Sequence, residues 1–325
     1  MIKRTLYFGN PAYLHTAHEQ LVVEFPYPEG APDIARPKPH TIPIEDIGVI
    51  VLDHPQLTFS QALISKMLAQ NAAIVTCDAT HHPTGLLLNL DGHTLQSRIF
   101  AAQISASEPL KKQLWQQTVA AKIQNQAAML GVSAAQGSLF GEPDKYLTNL
   151  VRDVKSGDSD NAEAQAAAYY WKRVFPTHPE FRRDRDGEPP NNLLNYGYAI
   201  LRAVVARCLV GSGLLPTLGI FHRNQYNAYC LADDIMEPYR PYVDRVVYDI
   251  VLQGDPGAQT AVLTKELKAK LLGVPAMDVR IARSVTARDT ERSPLMVAVE
   301  KTTASLARCF DGDARKILYP VLGDG

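Results

Sequence analysis

Apolar and polar residues change rhythm near residue 100. Short runs rich in Ile, Val, Leu, Thr and Tyr cover 3–8, 13–24, 42–53, 72–78 and 84–90. Partial period-two alternation in Leu21-Val22-Val23-Glu24 and Ile42-Pro43-Ile44-Glu45 predicts strands there. Breaks rich in Pro, Gly, Asn and Asp separate them at Asn10-Pro11, from Pro26 to Pro39, and at Asp91-Gly92. A single helical pattern at 58–70 interrupts the series. From 106 onward the period becomes helical: Pro109 suits a first turn, Gly131 ends the run, and Leu110, Leu114, Ala121, Ala128 and Met129 recur at helical spacing. Further helical patterns cover 144–155, 160–175, 192–213, 224–236, 241–253, 259–272 and 293–309. The predicted fold is α+β, with a β-rich, sandwich-like domain over 1–100 and a larger all-α domain over 106–310. The boundary near 95–106 is short, because no Gly/Ser-rich linker separates the two.

A chain of 325 residues fits two domains of roughly 150 residues, and 46% hydrophobic content excludes disorder. Cys77, Cys208, Cys230 and Cys309 have no metal-finger spacing and read as reduced thiols of a cytoplasmic protein. No apolar run follows the two charges of the N-terminal text, and no uninterrupted 18-residue apolar stretch occurs, so no membrane role is expected. The formal net charge of -1 gives no bulk signal for nucleic acid. Its distribution says more: residues 1–104 hold six basic and nine acidic groups, residues 105–325 hold 27 and 25. Seven of nine histidines fall in the β-rich part, leaving His178 and His222 as the imidazoles available to a site in the helical part.

Three features of the helical part bear on chemistry. On the helix that follows Asp160, Glu163 projects from a face of alanines between Tyr170 and Val174, where an ionised carboxylate needs a partner or a cation. The same Asp160-x-x-Glu163 spacing fits a capping box, in which the glutamate reaches back to the helix start. In the segment 213–244, His222 precedes a helix on which Asp233, Asp234 and Glu237 crowd one turn beside Leu231, Ile235 and Met236. Such mutual repulsion points either to a compensating cation or to a solvated acidic helix end with His222 in the core. Carboxylate oxygens with one imidazole suit Mg2+ or Mn2+, Mn2+ being the better match to nitrogen. Basic residues lie beside the acids: Lys172, Arg173, Arg182, Arg183 and, after Glu237, Arg240 and Arg245. They read as phosphate contacts or as charged surface.

The texts DNAEAQAAAYYW, LNYGYAILRAVV, GIFHRN and LADDIMEPYRPYVD, in that order, resemble CRISPR-associated protein one, the adaptation integrase. GNPAYLHTAHEQLVV, IPIEDIGVIVLD and AAIVTCDATHHPTG resemble its β-domain, KIQNQAAMLG its first long helix, and HPQLTFSQALISKMLAQNAAIV its type II branch. The resemblance implies that Glu163, His222 and Glu237 hold the metal and are catalytic. Asp233, Asp234 and Tyr196 fall where the family has residues close to that site. It also implies a homodimer built through the N-terminal domain, and a complex with CRISPR-associated protein two, DNA and other type II adaptation proteins. The implied activity joins the 3′-OH ends of short foreign DNA to the CRISPR repeat by transesterification, with endonuclease activity when water attacks. A metal-dependent DNase that never integrates, or a non-catalytic DNA-binding scaffold, are the competing readings.

Overall fold

The run over 13–24 folds back on itself. Strands β2 (Ala12–Ala17) and β3 (Gln20–Glu24) pair antiparallel, with Ala17 opposite Gln20. His18 and Glu19 turn the chain at φ 48° and 59°, the left-handed values a two-residue hairpin demands. Strand β4 (His40–Pro43) joins β3, and β6 (Leu57–Phe59) runs parallel to β2, giving the order β4-β3-β2-β6. The second sheet has the order β1-β5-β7-β8, built from β1 (Arg4–Phe8), β5 (Ile47–Leu52), β7 (Ala73–Cys77) and β8 (Pro83–Leu87). Its first three strands are parallel, and every residue of β5 is buried, as expected of a central parallel strand. Leu14, Leu21 and Val23 of one sheet share a core with Ile47, Ile50 and Ile74 of the other. Leu63 and Met67 of helix α1 (Gln61–Ala69) complete it, so the β-rich region is a sandwich carrying one helix.

This computed structural model describes residues 3–27, 37–135, 142–284, 287 and 289–323, and the chain divides into two compact units, Met1–Gly92 and His93–Gly325. The second unit begins with α2 (Gln96–Ile104), a helix within the stretch that the sequence reads as a boundary. Next come α3 (Glu108–Ala134), α4 (Lys145–Asp153), α5 (Ala162–Trp171) and α6 (Asn191–Gly211). After these follow α7 (Cys230–Met236), α8 (Arg240–Leu252), α9 (Lys265–Leu272) and α10 (Leu295–Phe310). The pattern over 224–236 is helical only from Cys230. Ahead of it, the Asn224 and Asn227 side chains accept the Tyr226 and Tyr229 amides, and these local turns displace the helix. Gly131 does not end α3, which continues to Ala134.

The helical region also contains a two-stranded antiparallel sheet, β9 (Asp278–Ala282) with β10 (Thr290–Pro294). Val279 and Ile281 alternate inward there, a two-position signal too short to register among helical patterns. Helix α6 is long and apolar enough to cross a membrane by composition alone, yet 83% of its apolar window is buried within the fold, which makes it a core helix. Gly197 lets it approach α8, since a Cβ at that position would meet Val243 Cγ1 at 2.4 Å. None of the four cysteines forms a disulfide, and burial pushes the Cys208 thiol up to about 12.

Candidate active site

Helix α3 presents Trp115, Val119, Lys122, Gln126 and Met129 at successive i+3 and i+4 steps, and all five are buried. Four of these positions pack as core; the fifth carries a charge. Lys122 Nζ lies 2.6 Å from Glu163 Oε1 on α5 and 2.5 Å from Glu237 Oε2 at the end of α7. Two carboxylates from separate helices therefore converge on one cation. Burial by itself would favour the neutral amine, but the Glu237 and Glu163 charges outweigh it and raise the Lys122 pKa. Burial likewise opposes an ionised Glu237, and Arg240 and Lys122 together hold it below the ordinary carboxylate range. Arg240 Nε stands 2.9 Å from Glu237 Oε1, so each oxygen of Glu237 faces a cation.

Glu163 is not a capping residue. The Asp158 carboxylate accepts the Ala162 and Glu163 amides at 2.8 and 3.1 Å, closing the start of α5 from four and five residues back along the chain. The Glu163 carboxylate is left to reach across to α3.

His222 sits on the turn before α7. Its Nδ1 is 2.5 Å from Asp234 Oδ1, and the same carboxylate accepts the amides of Phe221 and His222 at 2.9 and 3.3 Å. Asp234 is fully buried while the His222 side chain is 44% exposed, so one ring nitrogen is anchored to the protein interior. The Asp234 hydrogen bond raises the His222 pKa against the effect of burial, and Glu237 and Glu163 add to the rise. His222 thus feels the negative charge of both glutamates. The turn is fixed from three sides. A Cβ at Gly219 would meet the His222 carbonyl at 2.3 Å and Asp234 Oδ2 at 2.8 Å. Phe221 stacks on Trp115 with ring centres 4.3 Å apart. Gln103 of α2 donates to the Leu215 and Leu218 carbonyls and accepts the Leu215 amide. A cavity of about 450 Å3 opens beside His222, with Lys111, Arg223, Asn224 and Gln225 in its lining.

The two acids of α7 and Glu237 directly after it thus do three different things, and none is a solvated helix end. Asp234 orients His222, as expected of a residue behind a ligand. Asp233 is occupied elsewhere, by Arg202 Nε at 2.7 Å and Asn227 Nδ2 at 2.7 Å. Tyr196 is buried in α6 with the Lys268 ammonium 6.0 Å from its ring centre. Its neighbour Tyr198 is the tyrosine that joins the network: Arg240 lies 4.7 Å over its ring, and its hydroxyl donates to Asp244, which also accepts from Tyr170 at 2.8 Å.

Among the basic residues, Lys172, Arg173 and Arg182 are exposed, with Arg173 stacked 3.7 Å over Tyr169. The other three are engaged within the fold. Arg183 donates to Asn191 and Asn195, Arg240 pairs with Glu237, and Arg245 pairs with Asp249. Lys122, Asp158 and Asp244 belong to the site or its supports without having been singled out in the sequence. Lys122 alone carried a signal, a charge on the buried stripe of α3.

Among the described residues no three His, Cys, Asp or Glu side chains close around one point as they stand, because Lys122 lies between the glutamates. The donor set nevertheless fits a divalent ion. Two acid side chains already share one positive charge, and an imidazole anchored through Nδ1 stands in the same cluster.

A β-sandwich unit followed by a helical unit is a fold shared with proteins of known structure. A casposase bound to integration product superimposes with a TM-score of 0.74 over 98% of this chain and 92% of that chain, at 18% identity. A Cas1 protein from Thermotoga maritima gives 0.69 over 99% of both chains at 14% identity. The family model described as CRISPR associated protein Cas1 matches residues 6–272. The CRISPR-associated endonuclease Cas1 of Neisseria meningitidis serogroup C is 37% identical over 282 residues, 86% of this chain and 87% of the relative. The chain belongs to the Cas1 family.

Proposed function

We propose that this Cas1 chain is a metal-dependent DNA integrase and endonuclease of CRISPR adaptation, with Glu163, His222 and Glu237 as its catalytic ligands. The observation that carries the assignment is the convergence of Glu163 and Glu237 on a single cation, 2.6 and 2.5 Å away, beside an imidazole held by Asp234. Bound there, Mg2+ or Mn2+ would polarise the scissile phosphate and offset charge on the attacking and leaving oxygens.

The chain's own residues supply the rest. Asp234 engages Nδ1 of the His222 ring, which leaves Nε2 as the nitrogen to offer a metal. Arg240 holds the Glu237 carboxylate in place and keeps it ionised, while stacking on Tyr198 limits its own freedom. Lys111 and Arg223 beside the His222 cavity share the Glu108 carboxylate, while exposed Lys172, Arg173 and Arg182 offer positive charge to the flanking backbone. Contacts of that kind are sequence-independent, so DNA affinity falls as salt rises. The partners in this reading are DNA, a second copy of the chain joined through the β-sandwich, and Cas2, with other type II adaptation proteins. A Cas6-RT-Cas1–Cas2 complex, 20% identical, shares this fold over 97% of this chain and 36% of that chain at a TM-score of 0.67.

The test is a short duplex with free 3′-OH ends incubated with a supercoiled plasmid carrying the repeat, with Cas2 and Mn2+ present. Covalent joining is expected. Degradation without joining would make the protein a nuclease only, and the absence of both, with no anomalous Mn2+ signal at these side chains in crystals, would make it a scaffold. Asp234→Asn is expected to weaken Mn2+ binding by about 10–100-fold with Glu163 and Glu237 intact, because the imidazole loses its orienting carboxylate. Titration calorimetry checks this, and unchanged affinity would remove His222 from the ligand set.

A further inference from the structure

We propose that Lys122 is the built-in counter-cation of this site: it holds Glu163 and Glu237 together before metal arrives, and it must give up that position for a divalent ion to enter. The inference rests on reading the two glutamates as cation ligands, and adds a residue that competes for them.

The placement is a consequence of the fold. Asn125, one turn along α3 from Lys122, donates to the Pro238 carbonyl at 2.7 Å, which ties α3 to the backbone directly after Glu237. Lys122 is 8% exposed, so its ammonium is screened little by water. Without a positive charge between them, the Glu163 and Glu237 carboxylates would face each other in a poorly hydrated pocket, where like charges repel strongly. Arg240 neutralises only one side of Glu237, through Oε1; Oε2 and the Glu163 carboxylate depend on Lys122.

Both glutamates cannot give their facing oxygens fully to Lys122 and to a second cation at once. A divalent ion entering that point meets a like charge within a few ångströms, which in a protein interior weakens its binding by well over an order of magnitude. Lysine suits such a role because its compact charge rides on four flexible methylenes and can swing aside, which the rigid fork of arginine does less readily. The displaced ammonium remains beside the site with a positive charge to present to a phosphate.

The test uses the full chain and binding rather than activity. Lys122→Met keeps much of the side chain's length and apolar stem but removes the charge. In chelator it is expected to melt at a lower temperature than the wild type. With Mn2+ it should bind about tenfold or more tightly by calorimetry, and show a larger rise in melting temperature than the wild type shows. Equal or weaker Mn2+ binding by a folded variant, with binding by the wild type intact, would overturn the inference and leave the glutamate site standing. Absence of binding by both proteins would instead bring down the cation-site reading, and this inference with it. If Lys122→Met does not fold, wild-type crystals soaked in Mn2+ decide the matter. Lys122 moved off the two carboxylates beside a bound ion supports the proposal; Lys122 still bridging them, or no ion bound, overturns it.

Discussion

Glu163→Ala is expected to lower strand transfer by about a thousandfold or more while the chain stays folded, since losing one ligand of a catalytic cation removes several kcal/mol of transition-state stabilisation. The fold survives for a specific reason. The start of α5 is closed by Asp158, not by the Glu163 side chain, and Lys122 keeps Glu237 as a partner when Glu163 is gone. His222→Ala should behave alike, because the His222 side chain is nearly half exposed. Glu237 is different. It is 4% exposed between Lys122 and Arg240, so Glu237→Ala would leave Arg240 without its paired carboxylate and Lys122 with Glu163 alone, and cost roughly 3–5 kcal/mol of stability as well as activity. Glu237→Gln is the cleaner substitution. Gel-resolved joining of a labelled duplex, measured beside the circular-dichroism melt, separates these effects. Joining at the wild-type rate by a folded Glu163→Ala protein would return Glu163 to a structural role.

A pH-dependent stability difference of about 2 kcal/mol between pH 4.5 and 7.5 is expected between the wild type and Asp244→Asn. Asp244 on α8 accepts hydroxyls from Tyr170 of α5 and Tyr198 of α6, tying together the three helices behind the site. Burial pushes its carboxyl up to about 6 from an ordinary 3.8, against the pull of both tyrosine hydrogen bonds and of Arg240 and Arg183. The folded chain therefore binds this proton more tightly than the unfolded chain does. Its stabilising contribution is complete below the unfolded value and is lost as pH rises through about 6. The asparagine of the variant cannot ionise, so the wild type loses stability relative to the variant as pH rises through this window. Urea unfolding of both proteins at pH 4.5, 5.5 and 7.5 checks the sign. A gap that stays constant would mean that Asp244 ionises normally.

Several parts of this molecule were legible before any coordinates. The core runs of β5 and β7 and the long helices α3 and α6 follow from apolar pattern alone, because each buries a wide face. Other elements were not. Helix α2 is nine residues long with only Ile99 and Gln103 buried, too narrow a stripe to be distinguished from a linker. The shortening of the 224–236 helix depended on two asparagine side chains capturing nearby amides, a local competition that periodicity does not register. Glu163, His222 and Glu237 stood out as candidates because a carboxylate on an alanine face and acids beside apolar residues are costly unless something compensates them, but their selection as one ligand set came from the family resemblance.

The identity of what compensates them is a tertiary fact. Lys122 is 41 residues from Glu163 and 115 from Glu237, and only the packing of α3 against α5 and the end of α7 brings the three charges together. The partners of Arg240 and Arg183 within the fold, Glu237 and Asn195, are not written in the sequence either. By itself the sequence determined the two-part fold, the family it resembles and the residue types able to hold a cation. The structure decided which charges pair, because an ion pair depends on distances of a few ångströms that sequence separation does not encode.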